Sequence, residues 1–147
     1  MAGSTDSMGN EMIDSEVLYY GDLKAESKHI QSGSKVLTDA PIDNNGKGES
    51  FSPTDLVATS LANCMLTVMG ISAYHNQINI KGTRAEVNKV MGVEPRRITE
   101  IQIQFYFPYD YNDKYKESLE HVALNCPVAK SLSENIVQNI HFNYNNN

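Results

Sequence analysis

The chain has 147 residues, a formal net charge of −6 at pH 7 and two cysteines. Its length fits one domain, which we expect over residues 13–147. The acidic balance, with 12 basic residues that form no run, argues against nucleic acid and anionic membrane surfaces as partners and favours a small molecule.

The N-terminal residues lack the basic and then apolar layout of a secretory signal. We interpret residues 1–12 as a disordered leader or a remnant of cloning. We therefore expect a cytoplasmic protein whose cysteines start out reduced.

Three short strands are predicted in the first part of the chain. Residues 17–20 and 23–29 flank the turn residues Gly21 and Asp22, and a further turn leads into a strand over residues 35–39. Residues 41–50 are rich in Asn, Gly and Asp, which is typical of a loop. The pattern indicates a small antiparallel sheet, followed by a loop that delivers the chain to a long helix. We call residues 41–50 the entrance loop.

A long helix is predicted over residues 52–74. Ser52 suits the N-cap, Pro53 suits the first helical position, and Asp55 lies in the first turn, where the helix dipole favours an anion. No charged residue follows Asp55 within the helix, so that no face of it is made for bulk water. Polar residues such as Asn63 interrupt the apolar run and argue against a membrane span. We expect this helix in a core or a subunit interface.

Strands and two further helices are predicted after the long helix. Residues 77–91 have strand character, residues 92–97 form a turn, and residues 101–107 alternate between apolar and polar side chains as in a strand with one buried face. A second helix begins at Asn112 or Asp113 and ends near Asn125, because Pro127 disfavours helical geometry at the residue before it. Pro127 begins a short helix with Cys126 as its N-cap, and residues 140–144 form a closing strand. This order indicates an α+β fold.

The two cysteines occupy different local environments. Cys64 lies about three turns inside the long helix, beyond the reach of its dipole, so that a cation or hydrogen-bond donor from another segment would be needed to stabilise a thiolate there. Cys126, at a helix N-terminus with Lys130 one turn on, is a favourable place for a thiolate. Residue types alone leave open whether the two are reactive or are small buried apolar side chains.

Other site chemistries find no support in the sequence. It has no C-x-x-C motif, and its two cysteines and four histidines lack the paired spacing of a zinc site. The Gly46-Lys47-Gly48 run lacks the context of a phosphate-binding loop. We therefore expect neither a metal nor a cofactor.

Two segments, GKGESFSPTDLVATSLANCMLTVMGI and NCPVAKSLSENI, resemble the family of osmotically inducible and organic hydroperoxide resistance proteins. The resemblance extends from about Leu18 to Phe142. It implies an intertwined homodimer in which antiparallel sheets enclose two long central helices, with active sites at the subunit interface.

The resemblance also implies a thiol-dependent peroxidase acting on organic hydroperoxides, with Cys64 as the peroxidatic cysteine and Cys126 as the resolving one. In such a reaction the sulfenic acid formed on Cys64 condenses with Cys126 to a disulfide, which an external thiol reductant then reduces. An apolar wall that favours organic peroxides is predicted from Leu56, Leu61, Met65 and Val68.

The chain departs from the family pattern at the group that would activate Cys64. In the organic hydroperoxide branch an N-terminal arginine pairs with the reactive cysteine and a glutamate follows the helix-starting proline, whereas here no arginine precedes Arg84 and Thr54 follows Pro53. Candidates for the cation are Lys24, Lys28, His29, Lys35, Arg96 and Arg97. Candidates for the carboxylate are Glu49 and Asp55, and we include Glu49 among the predicted catalytic residues because it lies in the entrance loop.

A second function of a different class stays open, because the missing arginine weakens the case for catalysis. In it the protein is a non-enzymatic dimer that binds an apolar ligand at the subunit interface, and the cysteines are structural or form a redox switch.

Overall fold

The computed structural model describes residues 12–145. The chain forms two compact units, Met1–Leu56 and Val57–Asn147. Apart from Met12, the leader predicted over residues 1–12 lies outside the described residues, and the single domain over residues 13–147 stays a prediction.

The first unit contains the predicted antiparallel sheet. Its strands are β1 (Ser15–Gly21), β2 (Lys24–His29) and β3 (Lys35–Asp39), in the order β1-β2-β3. Gly21, Asp22 and Leu23 all have positive φ, which the tight turn from β1 to β2 requires. The register places Lys24 directly opposite Asp39, at the end of β3 that enters the loop.

The entrance loop is folded back onto the end of β3. The Asp39 N–H donates to the Phe51 carbonyl at 3.0 Å, and the Gly48 N–H donates to the Ala40 carbonyl at 3.2 Å. A side chain on Gly46 would clash with Ala40, since a Cβ there would lie 1.7 Å from its carbonyl oxygen. The predicted loop also contains a short 3₁₀-helix, Ile42–Asn44.

Helix α1 (Pro53–Asn76) begins where the sequence predicts. The Ser52 hydroxyl accepts from the Asp55 N–H at 3.1 Å, and the Asp55 carboxylate accepts from the Ser52 N–H at 2.9 Å. These reciprocal bonds satisfy backbone donors at the helix start, where such a cap is worth about 1 kcal/mol.

The second unit packs α1 against a three-stranded sheet and two shorter helices. The sheet has the order β4-β5-β6, formed by β4 (Arg84–Gly92), β5 (Arg97–Tyr106) and β6 (Val137–Asn143). Strands β4 and β5 are antiparallel, whereas β5 and β6 are parallel, a detail that the sequence does not indicate. The helices are α2 (Asp113–Leu124) and α3 (Pro127–Ser131).

One stripe of α1 faces this core. The fully buried apolar side chains of α1, β5 and α2 are Leu61, Met65, Met69, Ile101, Ile103, Phe105 and Leu119. By length and composition alone α1 is apolar enough to cross a membrane, but core helices of soluble proteins pass the same test, and its packing here is that of a core helix. The expected place in a core is confirmed for this stripe, while Ile71 and Tyr74 are exposed in the single chain and the subunit interface stays a prediction.

Two predicted strand starts differ from the structure by four residues or more. Residues 77–83 form a connection in which Ile78 and Ile80 pack on the core, so that β4 begins only at Arg84. The Thr83 N–H donates to the Ile80 carbonyl in a turn, which accounts for apolar residues outside a strand. Strand β5 begins at Arg97, four residues before the predicted start.

Candidate functional site

Cys64 lies on α1 at the edge of the buried stripe. Its neighbours Leu61 and Met65 are fully buried and Asn63 is exposed, so that the Cys64 side chain is half-buried and packs partly against the core. It is a free thiol. Cys64 is therefore the more accessible of the two cysteines.

Cys126 lies at the junction of α2 and α3. Helix α2 ends at Leu124, and the Cys126 N–H donates to the Ala123 carbonyl at 3.2 Å. The Cys126 sulfur caps α3, as predicted, by accepting from the Ala129 N–H at 3.4 Å. Its side chain is only 1% exposed.

The fold brings the two thiols together from distant parts of the chain. Both are free cysteines, and the Cys64 thiol is close enough to be among the groups that raise the pKa of Cys126. The sequence predicts Cys64 inside one helix and Cys126 at the start of another, and only the resemblance to a known family implies that they form a pair. Their proximity is a property of the packing of α1 against the α2–α3 junction.

The prediction that Cys126 is a favourable place for a thiolate is wrong. Burial raises the pKa of Cys126, and the bond from the Ala129 N–H opposes this only in part. The exposed Lys130 is not among the groups that shift it. Desolvation outweighs the helix terminus here, because α3 has only five residues and the sulfur is enclosed.

A charged cluster lies in the first unit, formed by Lys24, Asp39 and Glu49. The Lys24 ammonium is 2.9 Å from a carboxylate oxygen of Asp39 and 2.9 Å from one of Glu49. The same Asp39 oxygen accepts from the Glu49 N–H at 3.0 Å. These contacts raise the pKa of Lys24, through Glu49 first and then Asp39, and the Glu49 N–H and Lys24 lower the pKa of Asp39. Lys24 and Asp39 therefore both stay charged at neutral pH.

The other candidate groups have different contacts. Lys35 pairs with Glu26 at 3.6 Å, His29 bonds Ser32 at 2.6 Å, and Asp55 caps α1. The Arg97 guanidinium donates to the carbonyls of the β4–β5 turn, and Lys28 and Arg96 are exposed. Lys24 is thus the predicted cation that contacts the predicted carboxylate Glu49. The sequence missed Asp39, whose only signal is its position at the end of a strand before the loop.

A cavity of about 470 Å³ lies between α1 and the α2–α3 junction. Its lining residues are Val68, Ile71, Ser72, His75, Asn76, His121, Val122, Asn125, Cys126 and Pro127. The predicted apolar wall is only partly right, because Val68 lines this cavity whereas Leu61 and Met65 are fully buried in the core. The sequence also missed His75 and His121, which the packing of two helices brings to one wall.

Within residues 12–145, no group of His, Cys, Asp or Glu side chains is arranged to hold a metal ion. The chemistry that the described residues offer is that of two neighbouring thiols, one accessible and one enclosed.

Comparison with known proteins identifies the family of this chain. Residues 46–141, which include both cysteines and Glu49, match the model of a family described as OsmC-like protein. The chain belongs to the OsmC-like protein family. No curated protein matches it in sequence.

Solved structures show the same fold. A protein from Psychrobacter arcticus, described as an osmotic stress induced and detoxification response protein, is 50% identical to this chain with a TM-score of 0.87, and the match covers 89% of this chain and 96% of that one. An organic hydroperoxide resistance protein from Legionella pneumophila has 16% identity, a TM-score of 0.67 and coverages of 90% and 98%. Another from Elizabethkingia anophelis has 13% identity, a TM-score of 0.66 and coverages of 92% and 99%. The last two similarities show the fold alone.

Proposed function

We propose that this OsmC-like protein is a cytoplasmic thiol peroxidase that reduces organic hydroperoxides through Cys64 and Cys126. The observation that carries the proposal is the proximity of an accessible thiol, Cys64, to an enclosed one, Cys126, whose pKa is raised. Membership of the family supports it, as do two structural neighbours named organic hydroperoxide resistance proteins.

In the first step the Cys64 thiolate attacks the O–O bond of the hydroperoxide. The sulfur takes up the terminal OH as a sulfenic acid, and the other oxygen leaves with a proton as an alcohol. In the second step the Cys126 sulfur attacks the sulfenic sulfur, a disulfide forms, and water leaves. Two external thiols then reduce this disulfide and become a disulfide themselves.

The raised pKa of Cys126 suits a resolving cysteine. A neutral thiol is a weak nucleophile, so that Cys126 does not compete for the peroxide. Its burial also shields it from bulk oxidant until Cys64 carries a sulfenic acid.

We propose that the Lys24–Glu49 ion pair takes the place of the arginine and glutamate of the organic hydroperoxide branch. Support comes from the 2.9 Å contact between the two groups and from Asp39, which holds both the Lys24 ammonium and the Glu49 N–H. A lysine offers a point charge where an arginine offers a planar fork, so that this pair would stabilise a thiolate without bidentate hydrogen bonds.

We also propose that the protein acts as a homodimer. The β1 strand exposes Val17 and Tyr19 on one face of its sheet and Leu18 and Tyr20 on the other. Apolar side chains on both faces of one strand are typical of a surface that a second protein chain covers.

The test is to mix reduced protein with an organic hydroperoxide in the presence of a dithiol and to follow peroxide loss. We expect rapid loss with the wild type and none above background with Cys64→Ser. In Cys126→Ser we expect a sulfenic acid on Cys64, trapped by a dimedone-type reagent and located by mass spectrometry. Equal rates for the wild type and Cys64→Ser would refute catalysis, and a sulfenic acid on Cys126 of the wild type would reverse the roles.

A second candidate function, binding of an apolar ligand without catalysis, is favoured by the cavity between α1 and α2. Its volume of about 470 Å³ falls in the usual range for small-molecule sites. Alkylation of Cys64 at neutral pH separates the two functions. A rate like that of an unactivated cysteine favours binding, and a much faster rate favours the peroxidase.

A further inference from the structure

Asp39 is a buried carboxylate of the first unit to which the proposed reaction gives no role of its own. It lies at the end of β3, where the chain enters the entrance loop. The Asp39 N–H donates to the Phe51 carbonyl at 3.0 Å, which fixes the backbone at this point. Carboxylates are almost never fully buried without a partner, because the charge loses its hydration. The partners of Asp39 are therefore the guide to its role.

One oxygen of Asp39 contacts both the lysine and the entrance loop. Oδ2 lies 2.9 Å from the Lys24 ammonium and accepts from the Glu49 N–H at 3.0 Å. The other oxygen, Oδ1, is buried and has no hydrogen-bond partner among residues 12–145. A buried carboxylate with one unsatisfied oxygen depends on the partners of the other. If Lys24 moved away, Asp39 would be left as an uncompensated buried charge, which is strongly unfavourable.

The two carboxylates around Lys24 differ in exposure. Both lie 2.9 Å from the ammonium, but the Asp39 side chain is 2% exposed and the Glu49 side chain 58% exposed. Glu49 contributes first to the raised pKa of Lys24, and Asp39 second. An exposed ion pair is weak and is screened by salt, whereas a buried pair resists separation. The Glu49 carboxylate can thus be exchanged for water, while the Asp39 contact persists.

We propose that Asp39 is a positioning residue, which holds the Lys24 ammonium in place whether or not the Glu49 carboxylate contacts it. Through the Glu49 N–H, the same Asp39 oxygen ties the entrance loop to this position. Asp39 is then the fixed partner of Lys24, and the Glu49 carboxylate is the exchangeable one. Only the consequence for Cys64 rests on the proposed function, whereas the anchoring of Lys24 does not.

Unequal partners separate the place of the cation from its charge balance. With an ionised Glu49 in contact, two carboxylates surround one ammonium, an excess of one negative charge. With the Glu49 carboxylate in water, Lys24 and Asp39 remain as a neutral pair in the same place. Movement of one exposed side chain therefore changes the electrostatic field around Lys24 without displacing its ammonium.

The first experiment follows Lys24 itself and needs neither Cys64 nor a peroxide. The protein is treated with a trace of acetic anhydride at about 0.5 M salt, which screens exposed ion pairs, and mass spectrometry measures the acetylation rate of each lysine. Only the uncharged amine reacts, so that an ammonium held by a carboxylate is acetylated slowly. We expect Asp39→Asn to speed acetylation of Lys24 by about tenfold or more, and Glu49→Gln by less than about threefold.

A second ion pair of the same sheet provides the control. Lys35 lies 3.6 Å from Glu26, and its side chain is 58% exposed. Glu26→Gln removes that carboxylate, and we expect it to leave the acetylation of Lys24 unchanged. Thermal unfolding verifies that each variant is folded. An effect of Glu49→Gln as large as that of Asp39→Asn would overturn the inference.

The unmodified protein gives a measurement that does not depend on the folding of a variant. We expect Lys24 to be acetylated more slowly than Lys35 by about tenfold, and this ratio to stay constant between about 0.05 and 0.5 M salt, because the buried pair is not screened. A ratio that approaches one at the higher salt concentration would show that an exposed contact alone restrains Lys24.

The second experiment tests the consequence for Cys64. Alkylation of Cys64 at neutral pH reports how far the thiol is activated, without any peroxide. A carboxylate that only offsets the charge of Lys24 would, once neutralised, lower the pKa of the thiol and speed alkylation. A carboxylate that holds Lys24 in place has the opposite effect. We therefore expect Asp39→Asn to slow alkylation of Cys64 by about tenfold, as for Lys24→Met.

The double variant shows whether Asp39 acts through Lys24. We expect Asp39→Asn to slow alkylation of Cys64 in the wild type and to have no further effect in Lys24→Met. Faster alkylation in Asp39→Asn, or an equal slowing in both backgrounds, would refute the positioning role at the thiol. If Lys24→Met alone leaves the rate unchanged, the proposed role of Lys24 at Cys64 fails, and acetylation of Lys24 decides whether Asp39 anchors it.

Discussion

Replacement of Leu119 by alanine tests the packing of α2. Leu119 and Ala123 are the buried residues of this helix, and Leu119 is fully buried. A fully buried leucine shortened to alanine costs about 2–5 kcal/mol, from the lost transfer free energy and the cavity left behind. A loss of about 3 kcal/mol in the free energy of unfolding raises the unfolded-to-folded ratio by roughly 150-fold. The matched control is Leu124→Ala, at a position of the same helix that is 46% exposed, where we expect less than about 1 kcal/mol.

Urea unfolding at a fixed protein concentration measures the effect, since the stability of the proposed dimer would depend on concentration. With a denaturant slope of about 2 kcal/mol per molar, the midpoint of Leu119→Ala falls by about 1.5 M while the slope stays unchanged. A loss no larger than that of Leu124→Ala would refute the packing argument.

The variant Leu119→Ala also tests whether α2 shields Cys126 from solvent. Helix α2 runs into Cys126, so that its loosening exposes this sulfur more often under native conditions. We therefore expect faster alkylation of Cys126 in Leu119→Ala than in the wild type, with Leu124→Ala close to the wild type. A destabilised Leu119→Ala protein whose Cys126 stays fully protected would show that α2 is not the shield.

Three further predictions concern the first unit. If Lys24 has its proposed role, Lys24→Met slows alkylation of Cys64 at neutral pH by about tenfold or more, because a thiol that loses a stabilising cation has a higher pKa. Lys35→Met has no effect, and equal rates in the two variants would refute this role of Lys24. Asp39 has a lowered pKa when folded, so that its charge stabilises the fold above its ordinary pKa of 3.8, an advantage lost as the pH falls through the lower folded value. Urea midpoints of the wild type and Asp39→Asn should therefore converge in acid, and a constant difference would contradict this. Ser52→Ala costs about 1 kcal/mol through the lost cap, with the mid-helix Ser60→Ala as the control.

Local rules were sufficient for most of the secondary structure. The start of α1 follows from Ser52, Pro53 and Asp55, whose side chains act on neighbouring backbone groups, and the same holds for Cys126 at the start of α3. Rules of this kind need only a few residues of sequence. The parallel pairing of β5 with β6 depends on how distant segments assemble, and no local signal reports it.

The register between β2 and β3 decides which candidate cation joins the charged cluster. Lys24 and Lys28 lie in the same strand and resemble each other in sequence, but β2 pairs Lys24 with Asp39 and Lys28 with Lys35. The closure of the entrance loop then adds Glu49 to the first pair. The sequence contains the three residues of the cluster without indicating that they meet.

The prediction of the apolar wall on α1 was only partly right for a related reason. A helix that is apolar on all sides gives no periodic signal for which stripe meets the core. Leu61 and Met65 are on the core stripe, whereas Val68 lies on the side that faces the α2–α3 junction. Only the packing of α2 could distinguish them.

The pKa of Cys126 shows how tertiary burial reverses a local expectation, and it orders the proposed reaction. A helix N-terminus favours a thiolate, but the enclosed sulfur loses more by desolvation than the Ala129 N–H returns. A neutral, shielded Cys126 leaves the peroxide to Cys64 and reacts once a sulfenic sulfur lies beside it. One physical cause, the burial of Cys126, thus favours Cys64 as the first thiol oxidised in the proposed reaction.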